Sequence, residues 1–169
     1  TFVVCTGFVA IVVGYSGFGR AVGLDLWGPL LIALNSIGSA VGGLVYGGLQ
    51  LRRPLQRQLP FAMALLAVPL FAHLPVGSPW GLAPLAFVAG TLIAPSMTMV
   101  SLLVSRYAPA SSTTEAFTWS STAIVTGVGA GMGVGGVLVE HLGANGAFGL
   151  AAAAAFVGAV LALSLRRAV

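Results

Sequence analysis

The chain holds 169 residues, of which 58% are apolar and 6% charged, with a mean hydropathy of +1.05. A soluble domain carries about 25% charged residues, so this composition cannot coat a water-facing surface and points to a membrane-embedded protein. Seven arginines, no lysine and three acids give a net charge of +4. The arginines sit between apolar runs rather than in one patch, which argues against a nucleic-acid partner and for topology signals in loops.

The first apolar run, 2–18, begins at once, and Thr1 opens it without the basic region and cleavage site of a signal peptide. It reads as a helix entered part-way, so the sequence is expected to be part of a longer chain. The second run, 29–49, leads into the most polar stretch, 50–58. The third, 60–74, is the shortest and contains Pro69; the turn at 75–79 follows. The fourth spans 81–105, the fifth 114–139, and the sixth 147–165, just before Arg166 and Arg167. A helix needs about 17–25 residues to cross a bilayer, and the runs show none of the alternation of a membrane barrel strand. The fold class predicted is all-α integral membrane, a single bundle of six transmembrane helices.

Arginine placement predicts orientation. Six crossings put the loops at 50–59 and 106–113 and the C-terminus on one side, with Arg52, Arg53, Arg57, Arg106, Arg166 and Arg167; Arg20 alone falls on the other. The positive-inside rule then makes that side, and the C-terminus, cytoplasmic in a cell inner membrane. Trp27 and Trp80 sit at the opposite boundary, as aromatic belt residues do. Arginine without lysine, with abundant alanine and glycine, suggests a bacterial source.

The second and fifth runs are rich in glycine. Gly38, Gly42 and Gly47 stud one, and Gly127, Gly131 and Gly135, with Gly129 and Gly133 between them, stud the other. Small residues four apart let helix backbones approach closely. Because these runs are the middle members of 1–3 and 4–6, two inverted three-helix repeats are expected.

Hydroxyls and amides within the runs supply the candidate substrate path. Thr118 and Thr122 lie in a stripe with Thr114 and Thr126; Thr91 and Thr98 flank Pro95; Asn35 and Ser39 lie in the second run and Tyr15 in the first. Such groups either face a cavity or bond to neighbouring helices and to their own turn. The spacing predicts that Thr91, Thr98, Thr118 and Thr122 share one polar groove. Glu115 opens the fifth helix, capped by Thr113 or Thr114; its alternatives are an ion pair with Arg106 or a role in substrate or proton binding. No predicted helix interior contains Asp, Glu, Lys or Arg, so a buried carboxylate for proton coupling is not expected here.

Other patterns carry less. Residues 131–136 match G-x-G-x-x-G, but inside a membrane helix rather than after a strand. Gly14-Tyr15-Ser16-Gly17 resembles the nucleophile motif of rhomboid intramembrane proteases, yet Ser16 and His73 come in the wrong helices for that family. His73 and His141 are isolated and read as interfacial residues rather than metal ligands. Cys5 is the single cysteine, read as a small packing residue. No cofactor and no metal are expected.

The order of Gly90-Thr91-Leu92-Ile93-Ala94-Pro95, Ser105-Arg106-Tyr107-Ala108-Pro109, Thr114-Glu115-Ala116-Phe117-Thr118-Trp119 and the glycine ladder resembles the tenth and eleventh helices of major facilitator superfamily transporters, especially bacterial drug and sugar efflux permeases. The basic loop at 50–59 resembles the family's loop between helices eight and nine. The resemblance covers almost the whole chain as helices seven to twelve, the C-terminal half, with the N-terminal half absent. It implies secondary active transport by alternating access: proton-coupled efflux of a drug-like solute by an antiporter, with lipid, the N-terminal half, the solute and protons as partners. Helices one and four would line the site, two and five would meet the other half, and three and six would face lipid. The faces bearing Gly38, Gly42, Gly127, Gly131 and Gly135 are then expected to lie bare. The competing reading is a non-catalytic six-helix scaffold or assembly subunit, with a rhomboid-like protease a remote third.

Overall fold

The computed structural model describes residues 1–23, 26–49 and 54–168. Among these residues are six long helices, α1 (Phe2–Ala21), α2 (Trp27–Gly48), α3 (Leu55–Ala72), α4 (Pro79–Tyr107), α5 (Thr113–Leu142) and α6 (Ala144–Ala168), with a 3₁₀ turn, Ala110–Ser112, before α5. All six are long and apolar enough to cross a membrane. A helix is the natural state of such runs, because it satisfies every backbone N–H and C=O within itself. Arg52 and Arg53, used above for topology, lie outside the described residues.

The helix ends depart from the sequence reading in two instructive places. α3 begins at Leu55, five residues before Pro60. The proline was expected to start the helix; instead it sits inside it, so the Gln56 carbonyl lacks the N–H it would otherwise receive from residue 60. The loop expected at 140–146 shrinks to Gly143, whose φ of +68° reverses the chain between α5 and α6. Only glycine adopts that backbone conformation without strain.

Glycine contacts fix the relative directions of the helices. On α2, a Cβ at Gly38 would overlap the Phe87 carbonyl oxygen, and one at Gly42 the Thr91 carbonyl oxygen. Both pairs advance by four residues, so α2 and α4 run parallel. Gly90 of α4 meets the Asn35 backbone carbonyl in the same seam. On α5, Cβ atoms at Gly127 and Gly131 would lie 2.6 Å from the Phe2 oxygen and 2.7 Å from the Thr6 oxygen, so α5 runs parallel to α1. Gly7 of α1 meets Ala151 and Ala154, while Gly14 meets Ala147 and Phe148. That register runs backward, making α1 and α6 antiparallel.

The glycine faces expected to be bare are therefore covered. α4 covers Gly38 and Gly42, and α1 covers Gly127, Gly131 and Gly135, all five of them buried. What stays open is the other side of the same helices: only 22% of the α2 span and 17% of the α5 span are buried, against 56% of α1. On α5 a second glycine row, Gly129, Gly133 and Gly136, has nothing within 4 Å of its Cβ positions. The buried core lies between α1, α3, α4 and α6, where Ile11, Met63, Leu66, Leu82 and Phe148 meet the small faces of Ala151, Ala152 and Ala155. The outer faces of α3 and α6 are apolar, with Phe61, Val68, Phe156 and Val160 exposed.

Candidate functional site

Near its middle, α2 presents Asn35, Ser36, Ser39, Ala40, Gly43 and Leu44 along one side. The spacing of three and four residues keeps them on one helical face. With Phe8 of α1 and Ala94 of α4 they line an open groove of about 580 Å³. The seam glycines create it: with Gly38, Gly42 and Gly90 against backbone, α2 lies flat on α4 and its polar residues are held in place beside it. The Asn35 amide donates to the Ala86 carbonyl at 3.0 Å, and Ser36 donates to Ile32 O at 2.8 Å. Ser39 makes no hydrogen bond among the described residues and is half-buried, which leaves its hydroxyl to a solute or to water.

Asn35 also belongs to a second arrangement, inside the bundle. Its side chain sits beside the Tyr15 hydroxyl. The Tyr15 hydroxyl lies 3.0 Å from Nε2 of His73, and Nδ1 of His73 lies 2.6 Å from the Pro69 carbonyl. A carbonyl can only accept, so Nδ1 carries the proton; in the neutral imidazole Nε2 then accepts from the Tyr15 hydroxyl. Phe148 of α6 packs against both rings, with centroids 5.6 Å from Tyr15 and 5.2 Å from His73. Tyr15 and His73 are each 0% exposed. The Tyr15–His73 and His73–Pro69 bonds tie α1 to the end of α3, and the Asn35–Ala86 bond ties α2 to α4 beside them. Their low-dielectric surroundings make each bond costly to leave unmade.

The remaining sequence candidates fall elsewhere. Tyr15 is enclosed rather than on an open path. Thr91 donates to Val88 O at 2.7 Å and lines a different groove, between α2, α3 and α4, with no α5 residue in its walls. The shared groove expected for Thr91, Thr98, Thr118 and Thr122 is not formed. Thr98, Thr118 and Thr122 are exposed, and each donates to the carbonyl one turn back, of Ala94, Thr114 and Thr118, at 2.9, 2.9 and 3.0 Å. In a bare helix surface that internal bond is the nearest acceptor available. Glu115 is exposed in the first turn of α5; the N-cap is Ser112, without a side-chain cap bond, and Thr113 donates back to Pro109 O at 3.0 Å. Sequence reading missed His73 as a buried partner and missed Ser36 and Phe8 as groove residues. Nothing local signals the Tyr15–His73 pair, whose members are 58 residues apart; Ser36 could have been found by its spacing from Ser39 and Gly43.

The arrangement brings together no serine–histidine pair from the protease-like motif. Ser16 donates to Val12 O at 3.2 Å, while His73 is held by Tyr15 and Pro69. Among the described residues no group of three His, Cys, Asp or Glu side chains could hold a metal ion. Trp27 and Trp80, at the starts of the parallel helices α2 and α4, meet edge-to-face at 5.1 Å. No family model matches the sequence, and no curated protein matches it.

Proposed function

We propose that the chain is the C-terminal half of a major facilitator superfamily transporter, moving a small drug-like solute by alternating access, in exchange for protons. The observation that carries this reading is an equivalence in packing. Exchanging α1 with α4, α2 with α5 and α3 with α6 turns the α2–α4 seam into the α5–α1 seam. It also turns the α1–α6 contact into the α4–α3 contact and leaves α3–α6 in place. The seams match in detail: Gly38 and Gly42 meet Phe87 and Thr91 as Gly127 and Gly131 meet Phe2 and Thr6. Two three-helix units of opposite topology are the framework on which such transporters rock about a central site, and the paired glycine seams support that reading, although α5 packs on α6 where α2 does not pack on α3.

The groove supports the same reading, with Asn35, Ser36 and Ser39 giving a polar surface at mid-helix and Phe8 and Leu44 an apolar one, suited to an amphiphilic solute. α2 and α5, the least covered helices, and the bare row Gly129, Gly133 and Gly136 suit close packing by a second six-helix half. His73 is a titratable ring held out of water on the Tyr15 hydroxyl, in the same bundle interior as Asn35. Arg57 and Arg106 lie at one end of the bundle and Arg20 at the other, which supports a cytoplasmic C-terminus.

The test is flux of a fluorescent lipophilic cation into vesicles under an imposed pH gradient. The chain reconstituted with its complementary six-helix half is expected to give saturable flux, and Asn35→Ala to lower it at least tenfold. Saturable flux from the chain alone as a monomer refutes the half-transporter reading.

A further inference from the structure

A second groove, of about 730 Å³, opens between α2 and α3 with α4 as its floor. Three stretches of equal length line it: 41–49 of α2 and its C-cap, 57–65 of α3 and 91–99 of α4. At 1.5 Å per residue each runs about 12 Å along the helix axes. Val41, Val45, Phe61 and Leu65 form exposed apolar walls, and Leu92 and Met99 the floor. At one end the Tyr46 hydroxyl donates to Oε1 of Gln58 at 3.2 Å, bridging α2 and α3, and the exposed Arg57 stands beside that bridge. No residue of α2, α3 or α4 is acidic, and Glu115 and Glu140 lie on α5, which packs mainly on α1 and α6, touches α4 lightly and contributes no residue to the groove. The groove is elongated along the helices, apolar for most of its length, and cationic at a single end with no carboxylate on its walls.

We propose that this groove is a binding site for an anionic phospholipid of the surrounding bilayer, with one acyl chain along α4 and the phosphate on Arg57. The groove's axis is the axis along which bilayer lipids stand, and its cationic end is the end of the helices, where headgroups lie. A planar guanidinium pairs with phosphate through two parallel hydrogen bonds. The inference depends on membrane embedding alone, so it stands or falls separately from the transport reading.

The experiment is native mass spectrometry of the purified chain in detergent with added phosphatidylglycerol or phosphatidylcholine of identical acyl chains. The wild-type chain is expected to retain phosphatidylglycerol about fivefold more tightly, the factor that one arginine near a membrane surface supplies. Arg57→Gln is expected to abolish that preference. Arg106→Gln, at the same end of the bundle but outside the groove, is expected to leave it intact. Leu65→Trp, which fills the groove, is expected to reduce retention of both lipids, and Val45→Phe serves if that variant does not fold by circular dichroism. Equal loss in Arg57→Gln and Arg106→Gln would reduce the effect to diffuse surface charge and overturn the proposal. Undiminished lipid retention in the filled-groove variant would overturn it as well. So would a dimer of the chain that Leu65→Trp disrupts while the wild type shows no lipid preference, because the groove would then hold a second copy.

Discussion

The two glycine seams are built on one plan but differ in tightness. In the α2–α4 seam both helices contribute glycine, Gly38 and Gly42 from one and Gly90 from the other, and backbone touches backbone at all three. In the α5–α1 seam Gly127 and Gly131 come from α5 and Gly17 from α1, and the surfaces they meet include the side chains of Cys5, Val9 and Val139. By Gly135 the gap has widened to 3.6 Å. The first seam holds Asn35 against the Ala86 carbonyl near mid-helix; among the described residues the second has its side-chain hydrogen bond only at the start of α1, 3.3 Å between the Thr1 and Ser120 hydroxyls. α5 thus lies less tightly bound than α2, with a second glycine row facing outward. Fixed geometry is found where polar groups must be aimed, and a looser helix where a large face stands open.

The sharpest way to break this contrast is to add side chains along it. Gly42→Val should destabilise the chain most, by about 3 kcal/mol, because the new atoms meet backbone rather than a movable side chain. Gly131→Val should cost about half as much, since its Cβ would approach the Thr6 oxygen at 2.7 Å rather than overlap it outright as at Gly42. Gly129→Val should change stability by less than about 0.5 kcal/mol. Denaturant titration in micelles, followed by circular dichroism, orders the three; equal losses at positions 42 and 129 would erase the distinction between covered and open rows.

The Tyr15–His73 bond gives the next effect. Tyr15→Phe keeps the ring against Phe148 and removes the hydroxyl bond to His73, a loss of about 1 kcal/mol by the same titration. It should also release the imidazole from its fixed tautomer, visible as a shift of the His73 nitrogen resonances in a labelled sample. Unchanged resonances would mean that Tyr15 does not hold the ring.

Much of this architecture was legible. Six spans announce themselves because a bilayer demands long apolar runs, and the glycine spacing marked α2 and α5 as close-packing helices. The register of that packing was not legible: α5 carries small residues on two opposite faces, and only tertiary structure decides which row meets α1. Pro60 misled because its preference for helix starts is weaker than the extension of α3 by Gln56, Arg57 and Gln58. Asn35 and Ser39 were identified from polarity alone. The threonine stripes followed the same logic and led elsewhere, because a threonine hydroxyl finds an acceptor in its own helix and so says little about what faces it.

The smallest expected effect follows from that last point. Thr122→Val should alter stability by less than about 0.5 kcal/mol, because the bond it removes is local and solvent- or lipid-facing. A loss above about 1 kcal/mol would show that the hydroxyl serves an inter-helix contact.

The central claim is that α5 presents its outward glycine row to a second half of a transporter. Its most direct test compares Gly133→Trp with the unmodified chain, each reconstituted with the complementary half, in pH-gradient-driven flux of a fluorescent lipophilic cation. Gly133 has nothing within 4 Å of its Cβ position, so the variant should fold alone with an unchanged denaturation midpoint and lose at least tenfold in flux. Unaltered flux from a correctly folded Gly133→Trp chain would contradict the account.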